Sequence, residues 1–189
     1  ALEEEFANAT GGNLENFLKL DRFDRLFLGE KDNLASENPS KYLLYQDALL
    51  GIFDYHLQGK DAAGYYRRLA QELEGCVLEA GCYTRLFAYY YCLAQVLSEK
   101  ADLGVKIKAA YDAHDLSTLQ SISEEKIPHI ITQMWKLKDL REDLWMEDGK
   151  PFGYELIDLL SALGIAGGLL HTVLQVGGQN FLVGAVENG

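Results

Sequence analysis

Acidic pairs, histidines, cysteines and a run of tyrosines are the side chains through which this sequence could do chemistry, and their spacing decides how much. Adjacent carboxylates stand at Glu124-Glu125 and Glu147-Asp148. General acid–base work needs one carboxyl held protonated near neutrality, by burial or by a close like charge. The first pair falls on an amphipathic helical stretch and the second in a turn, so a solvated face accounts for both. The four histidines, His56, His114, His129 and His171, are scattered, and none has a second histidine or a cysteine three or four residues away. Metal sites need several ligands converging, so no metal and no other cofactor is expected. Cys76, Cys82 and Cys92 are odd in number and form no Cys-x-x-Cys, the usage of a cytoplasmic protein with reduced thiols. The sequence has no Gly-x-Ser-x-Gly elbow, phosphate loop, dinucleotide-binding glycine pattern or His-Glu-x-x-His. No catalytic residue is assigned.

Tyr89, Tyr90 and Tyr91 run consecutively, so on a helix they spread over more than half the circumference and at least one meets a second surface or solvent. Tyr65-Tyr66 behaves alike. Helix packing with hydroxyls reaching partners is favoured over a carbohydrate-stacking platform, which no flanking cluster of Asn, Asp and Trp supports.

The elements that must position these groups are helical. The chain of 189 residues is 48% apolar and 24% charged, with three prolines, a size and composition for one domain, or one plus an appendage. A formal charge of −12 repels nucleic acid and anionic membrane, since phosphate binding needs clustered Lys and Arg. Asn8-Ala9-Thr10 is a formal glycosylation sequon, but nothing else points to secretion and no signal-peptide pattern opens the chain. It begins Ala1-Leu2-Glu3 without Met, as expected of a piece of something longer.

Residues 1–37 read as a loop-rich N-terminal arm: a short acidic helix over Leu2–Ala9, a second segment over Asn13–Leu20 and an irregular connection. From Asn38-Pro39-Ser40, a helix start, residues 38–158 read as a helical domain. Asp61 opens a helix with Ala62, Tyr66, Leu69 and Leu73 inward and Arg67, Arg68 and Glu72 outward, ended by Gly75. One long helix of roughly 45 Å is expected from Tyr83 to Ala113, with Leu86, Tyr90, Leu93, Leu97, Ala101, Ile107 and Tyr111 on its inner stripe. Asp115 caps a short helix, Pro128 restarts it, and Ile127, Ile130, Met134, Leu137 and Leu144 face inward. No period-two stretch predicts a strand. The expected fold is therefore all-α, an antiparallel bundle of four to six unequal helices. Residues 159–189 differ: 159–186 hold no formal charge and include Gly164-x-x-x-Gly168. A helix packed on the bundle or in an interface is expected there, in preference to a membrane span, because the stretch carries six glycines and no basic flank.

Two segments carry a resemblance. Asn38-Pro39-Ser40-Lys41-Tyr42-Leu43-Leu44-Tyr45-Gln46-Asp47 with Leu50-Gly51-Ile52-Phe53-Asp54, and Trp145 with Lys150-Pro151-Phe152-Gly153-Tyr154-Glu155 and Asp158, resemble the two ends of the helical C-terminal domain of bacterial family 20 glycoside hydrolases. Between them, Leu97, Lys100-Ala101-Asp102-Leu103-Gly104 and Tyr111 are similar to family positions. The similarity runs from about Asn33 to Asp158. Beyond it, the family's Arg-Leu-Gly step and charged helix give way to the uncharged run.

The resemblance implies a parent β-N-acetylhexosaminidase in which the substrate's acetamido oxygen attacks while an Asp-Glu pair on the barrel orients it and donates the proton. Here no Asp is followed by Glu, so no catalytic residue carries over and the chain alone is expected to be inactive. The expected role is docking on the parent's catalytic barrel and on a second copy as a homodimer, with Tyr42, Leu44, Tyr45, Gln46, Asp47, Phe53, Trp145, Phe152 and Tyr154 as interface candidates. A free-standing helical module for an apolar ligand or partner helix is the alternative, and a membrane-anchored helical protein the third reading. Neither nucleic acid nor membrane is an expected partner.

Overall fold

Helix caps and apolar stripes place most of the elements in the computed structural model, which describes residues 2–26 and 38–149. The helices are α1 (Leu2–Thr10), α2 (Leu14–Leu20), α3 (Pro39–Tyr45), α4 (Ala62–Glu79), α5 (Thr84–Lys100), α6 (Leu103–Asp112), α7 (Leu116–Ser121) and α8 (Ile127–Asp148). The described residues contain no strand, and the fold is all-α as expected. Asn13, Asp61 and Asp115 each accept a backbone N–H three residues on, at 3.2, 2.8 and 3.1 Å, so each satisfies one orphan donor of the helix it opens. Between α7 and α8 the chain makes a π turn, Ile122–Lys126. Pro128 follows directly; its ring would crowd the carbonyl four residues back in a regular helix, and the wider turn relieves that.

A four-residue connection makes α4 and α5 an antiparallel hairpin. Contacts of α5 with α8 and with the residue just before it run in opposite order along the chain: Arg85 pairs with Glu147, the Cys92 thiol reaches the Gln133 carbonyl, and Glu99 pairs with Lys126. These two helices are antiparallel as well. The shared core takes Tyr66, Leu69 and Leu73 from α4, Phe87 and Leu97 from α5, and Ile127 and Ile130 from α8, all essentially inaccessible. Arg67, Arg68 and Glu72 lie outside it.

The N-terminal residues are clamped to this bundle by tyrosine hydroxyls. Tyr65 donates to the Arg22 carbonyl at 2.6 Å, Tyr66 to that of Phe23 at 3.0 Å and Tyr83 to that of Thr10 at 2.9 Å. Phe23 itself is in the core. The tyrosine run divides as its spacing requires. Tyr90 packs on Phe23, Tyr89 stands edge-on to Tyr90, and the half-buried Tyr91 holds Glu74 and Gln95 by its hydroxyl.

Four expectations need correction. Gly75 does not end α4, which runs to Glu79: a Cβ at Gly75 would meet nothing, so the position is solvent-side, and Cys76 continues the buried stripe. The long helix expected over Tyr83–Ala113 is two, broken at Ala101-Asp102, where Gly104 must come up against the backbone of Ala48. The restart shifts the helical phase, so Ile107 and Ala110 face inward and Tyr111 is 55% exposed. Glu147 and Asp148 close the last turn of α8 instead of lying in a turn, with Glu147 paired to Arg85, while Glu124 and Glu125 sit exposed on the π-helical stretch, on a helix as expected.

Among the described residues no cluster of His, Cys, Asp and Glu could hold a metal ion, and no helix is long and apolar enough to cross a membrane. The uncharged run 159–186 lies outside the described residues. Cys76, Cys82 and Cys92 are free thiols, the first and last buried.

Candidate docking surface

The segment that follows α3 exposes a run of apolar side chains, and hydrogen bonding explains its shape. Pro39 occupies the first turn of α3, and Ser40 binds Asp24 through its N–H and hydroxyl at 3.0 and 2.7 Å. At Gln46 the backbone turns extended and the helix stops. The Asp47 carboxylate then accepts the N–H groups of Leu49 and Leu50 at 2.8 and 3.1 Å, an Asx turn. Gly51, at φ +53°, reverses the chain in a conformation that L side chains resist. Gln46 spans the loop, accepting from the Phe53 N–H and donating to the Asp54 carboxylate, both at 3.3 Å.

These bonds leave the loop's apolar side chains outward: Leu50 is 71% exposed, Ile52 63%, Tyr55 66% and the neighbouring Tyr45 62%. Beside them an open groove of about 700 Å³ is lined by Tyr42, Tyr45, Leu50, Ile52 and Phe53 with Lys41 at its edge. The Tyr42 and Phe53 rings stack on its floor, centroids 4.5 Å apart. A contiguous exposed apolar patch is the kind of surface through which proteins bind a partner or a ligand.

Underneath lies a buried ammonium. Lys100, 4% exposed, donates to the carbonyls of Leu43 and Gln46 at 3.2 and 2.7 Å. Burial draws its pKa down to about 8, against the opposing pull of Asp47 and Asp54. The Asp54 carboxyl is pushed up by its own burial, while Gln46 and Lys100 hold it back.

From this surface an aromatic–cation row leads across α5 to α8. The Arg141 guanidinium lies 5.9 Å from the Tyr89 ring and 5.8 Å from that of Trp145. Burial pushes the Tyr89 phenol up to about 12; Arg141 opposes, and Tyr90 and Tyr45 add to the rise. Tyr45 and Trp145, one from each quoted motif, thus stand at the two ends of this row, Tyr45 acting on Tyr89 and Trp145 lying against Arg141.

Of the interface candidates, Tyr45 is exposed, Tyr42, Leu44, Phe53 and Trp145 are half-buried, and Gln46 and Asp47 shape the loop. Phe152 and Tyr154 lie outside the described residues. Leu50, Ile52 and Tyr55 were not among the candidates, although Leu50 and Ile52 stand in the first motif; a Leu-Gly-Ile step in a short loop, where no helix face can bury it, was the available signal. Lys100 and Gly104 stand among the family-like positions, and nothing in the sequence marks a part for either in this surface.

The family model for the Glycoside Hydrolase 20C C-terminal domain matches residues 15–177. This chain belongs to that family. The match begins before the motif at Asn38 and continues past Asp158, where the resemblance read from the sequence stopped, into the uncharged run. No curated protein matches the chain.

Proposed function

We propose that this chain is the non-catalytic helical domain of a β-N-acetylhexosaminidase-like glycoside hydrolase, and that residues 42–55 form the surface by which it docks on the parent's catalytic barrel and takes part in subunit association. The observation that carries this reading is the loop itself. The motif residues Gln46, Asp47, Gly51 and Asp54 spend their hydrogen bonds and backbone freedom on holding Leu50 and Ile52 outward. Family membership supports a catalytic barrel as the partner; on this reading the reaction, removal of a terminal N-acetylhexosamine, belongs to the barrel. Three free thiols, one of them exposed on Cys82, support a reducing, cytoplasmic setting. A homodimer with this patch at its two-fold axis is the simplest self-association.

Calorimetric titration of the barrel into the chain tests the reading, with Leu50→Asp/Ile52→Asp as the control. Full burial of one such side chain is worth roughly 1.5–3 kcal/mol, so the double variant weakens binding by at least about a hundredfold, while its helix content is unchanged because both residues are exposed. Equal affinity, or a folded wild-type chain that does not bind, overturns it. An apolar ligand or helix that occupies the groove while the barrel does not bind would favour the free-standing module.

A further inference from the structure

We infer that Lys100 is the positioning residue of this surface: its buried ammonium ties the end of α3 and the turn after it to α5, and so fixes the display of Leu50 and Ile52. The carbonyls it holds, Leu43 and Gln46, stand where α3 ends and intrahelical donors run out, and a cation is favourable at a helix C-terminus. Gly104, four residues on, completes the grip. A Cβ there would lie 2.6 Å from the Ala48 carbonyl oxygen and 2.7 Å from the Asp54 carboxylate, so only glycine lets α6 close on the loop from that side. The break at Ala101-Asp102 lets one short stretch present both the ammonium and the glycine to residues 43–54. The Gln46–Asp54 and Lys100–Gly104 motifs are therefore two halves of one contact.

Burying an ammonium is costly, and a space-filling apolar side chain would avoid that cost. What the side chain adds, as ammonium or as neutral amine, is a donor for each of two backbone carbonyls, which fixes the path of the loop. Losing the proton keeps both bonds and removes the cost of burying the charge. The charged groups that face it are Asp47 and Asp54, both from the loop side. Its neighbours along the chain, Glu99 and Asp102, are paired with Lys126 and Lys106 at 3.2 and 2.8 Å. An opening of the loop that wets the amine restores its ordinary proton affinity, so opening takes up a proton at alkaline pH.

The role of the loop rests on the docking reading; the latch is tested on the chain alone, by quench-flow hydrogen exchange. In Lys100→Met, which keeps the stem and removes the donors, the amides of residues 47–57 lose protection by about tenfold or more, the scale of one charge-assisted hydrogen bond, while α4 and α8 keep theirs. In the wild type, protection of the same amides, corrected for intrinsic rate, rises with pH above about 8, a slope absent from Lys100→Met. Unchanged protection in the variant, a loss spread evenly over α4 and α8, or a flat wild-type profile overturns the inference. If Lys100→Met does not fold, the wild-type profile decides alone. Leu50→Asp/Ile52→Asp keeps the latch and loses the barrel, so failure of the latch and failure of the docking reading are separable.

Discussion

The same substitution, Gly to Ala, has opposite effects at two helical positions of this chain. Gly75 lies inside α4 with open space where a Cβ would stand. Alanine there reduces the freedom of the unfolded chain and meets nothing, so Gly75→Ala stabilises by about 0.5–1 kcal/mol. Gly104 lies in the first turn of α6, where the propensity gain is at most the same. Its new Cβ would approach the Ala48 carbonyl oxygen to 2.6 Å and the Asp54 carboxylate to 2.7 Å. The first of these is backbone and cannot swing away; the second is held by Gln46. Forcing α6 and the loop apart costs on the order of 1–3 kcal/mol, as overpacking does elsewhere, so Gly104→Ala is a net loss of about 1–2 kcal/mol. For a chain of this size each kcal/mol moves the melting temperature by about 2–4 °C. Urea and thermal unfolding followed by far-ultraviolet circular dichroism, on wild type and both variants, reads the difference. A Gly104→Ala protein as stable as Gly75→Ala refutes the close approach of α6 to the loop after α3.

Tyr66→Phe strips the Phe23 carbonyl of its buried donor and costs about 1–3 kcal/mol in urea unfolding; an unchanged midpoint contradicts the clamp on the N-terminal residues. Stability also depends on alkaline pH. The Lys100 pKa is about 8 in the fold against an ordinary 10.5, so between these values the unfolded chain holds a proton that the fold has lost, and stability rises with pH by roughly 3 kcal/mol from this group. Tyr66 and Tyr89 are raised by burial, so above about pH 10 the unfolded chain loses protons that the fold retains and stability falls. The Cys92 thiol, also raised by burial, adds a fall that begins at about pH 9 and offsets the Lys100 rise there. Urea midpoints therefore rise from about pH 8, level between about pH 9 and 10 and fall above; a steady fall from pH 8 contradicts the burial of Lys100. Without reductant, all three cysteines react with a thiol reagent in denaturant, and a lower count contradicts the free-thiol state.

What was legible in the sequence was local. Asp61 and Asp115 cap their helices because a short acceptor side chain three residues before a free N–H acts within one turn. The spacing of Tyr66, Leu69 and Leu73 marked their shared face because that periodicity belongs to α4 alone. The break between α5 and α6 was not legible, since the apolar spacing runs on across it, and the close approach of Gly104 to the Ala48 carbonyl joins residues far apart in the chain. The position of Lys100 was hidden for the same reason: a lysine in a helical stretch reads as solvated, and only the end of α3 folded over it makes it a buried donor. Of the surface, the aromatic motif residues were picked out by type, whereas Leu50 and Ile52 depend on a loop whose direction is set by Asp47 and Gly51 together.

Hydrogen exchange on the parent enzyme and on this chain alone decides most directly whether the loop after α3 is the face covered by the catalytic barrel. Amides of residues 47–57 are expected to be protected by about tenfold or more in the parent, as burial of that loop requires, while exposed amides of α7 exchange alike in both. Equal exchange of residues 47–57 in the two proteins would contradict the docking reading.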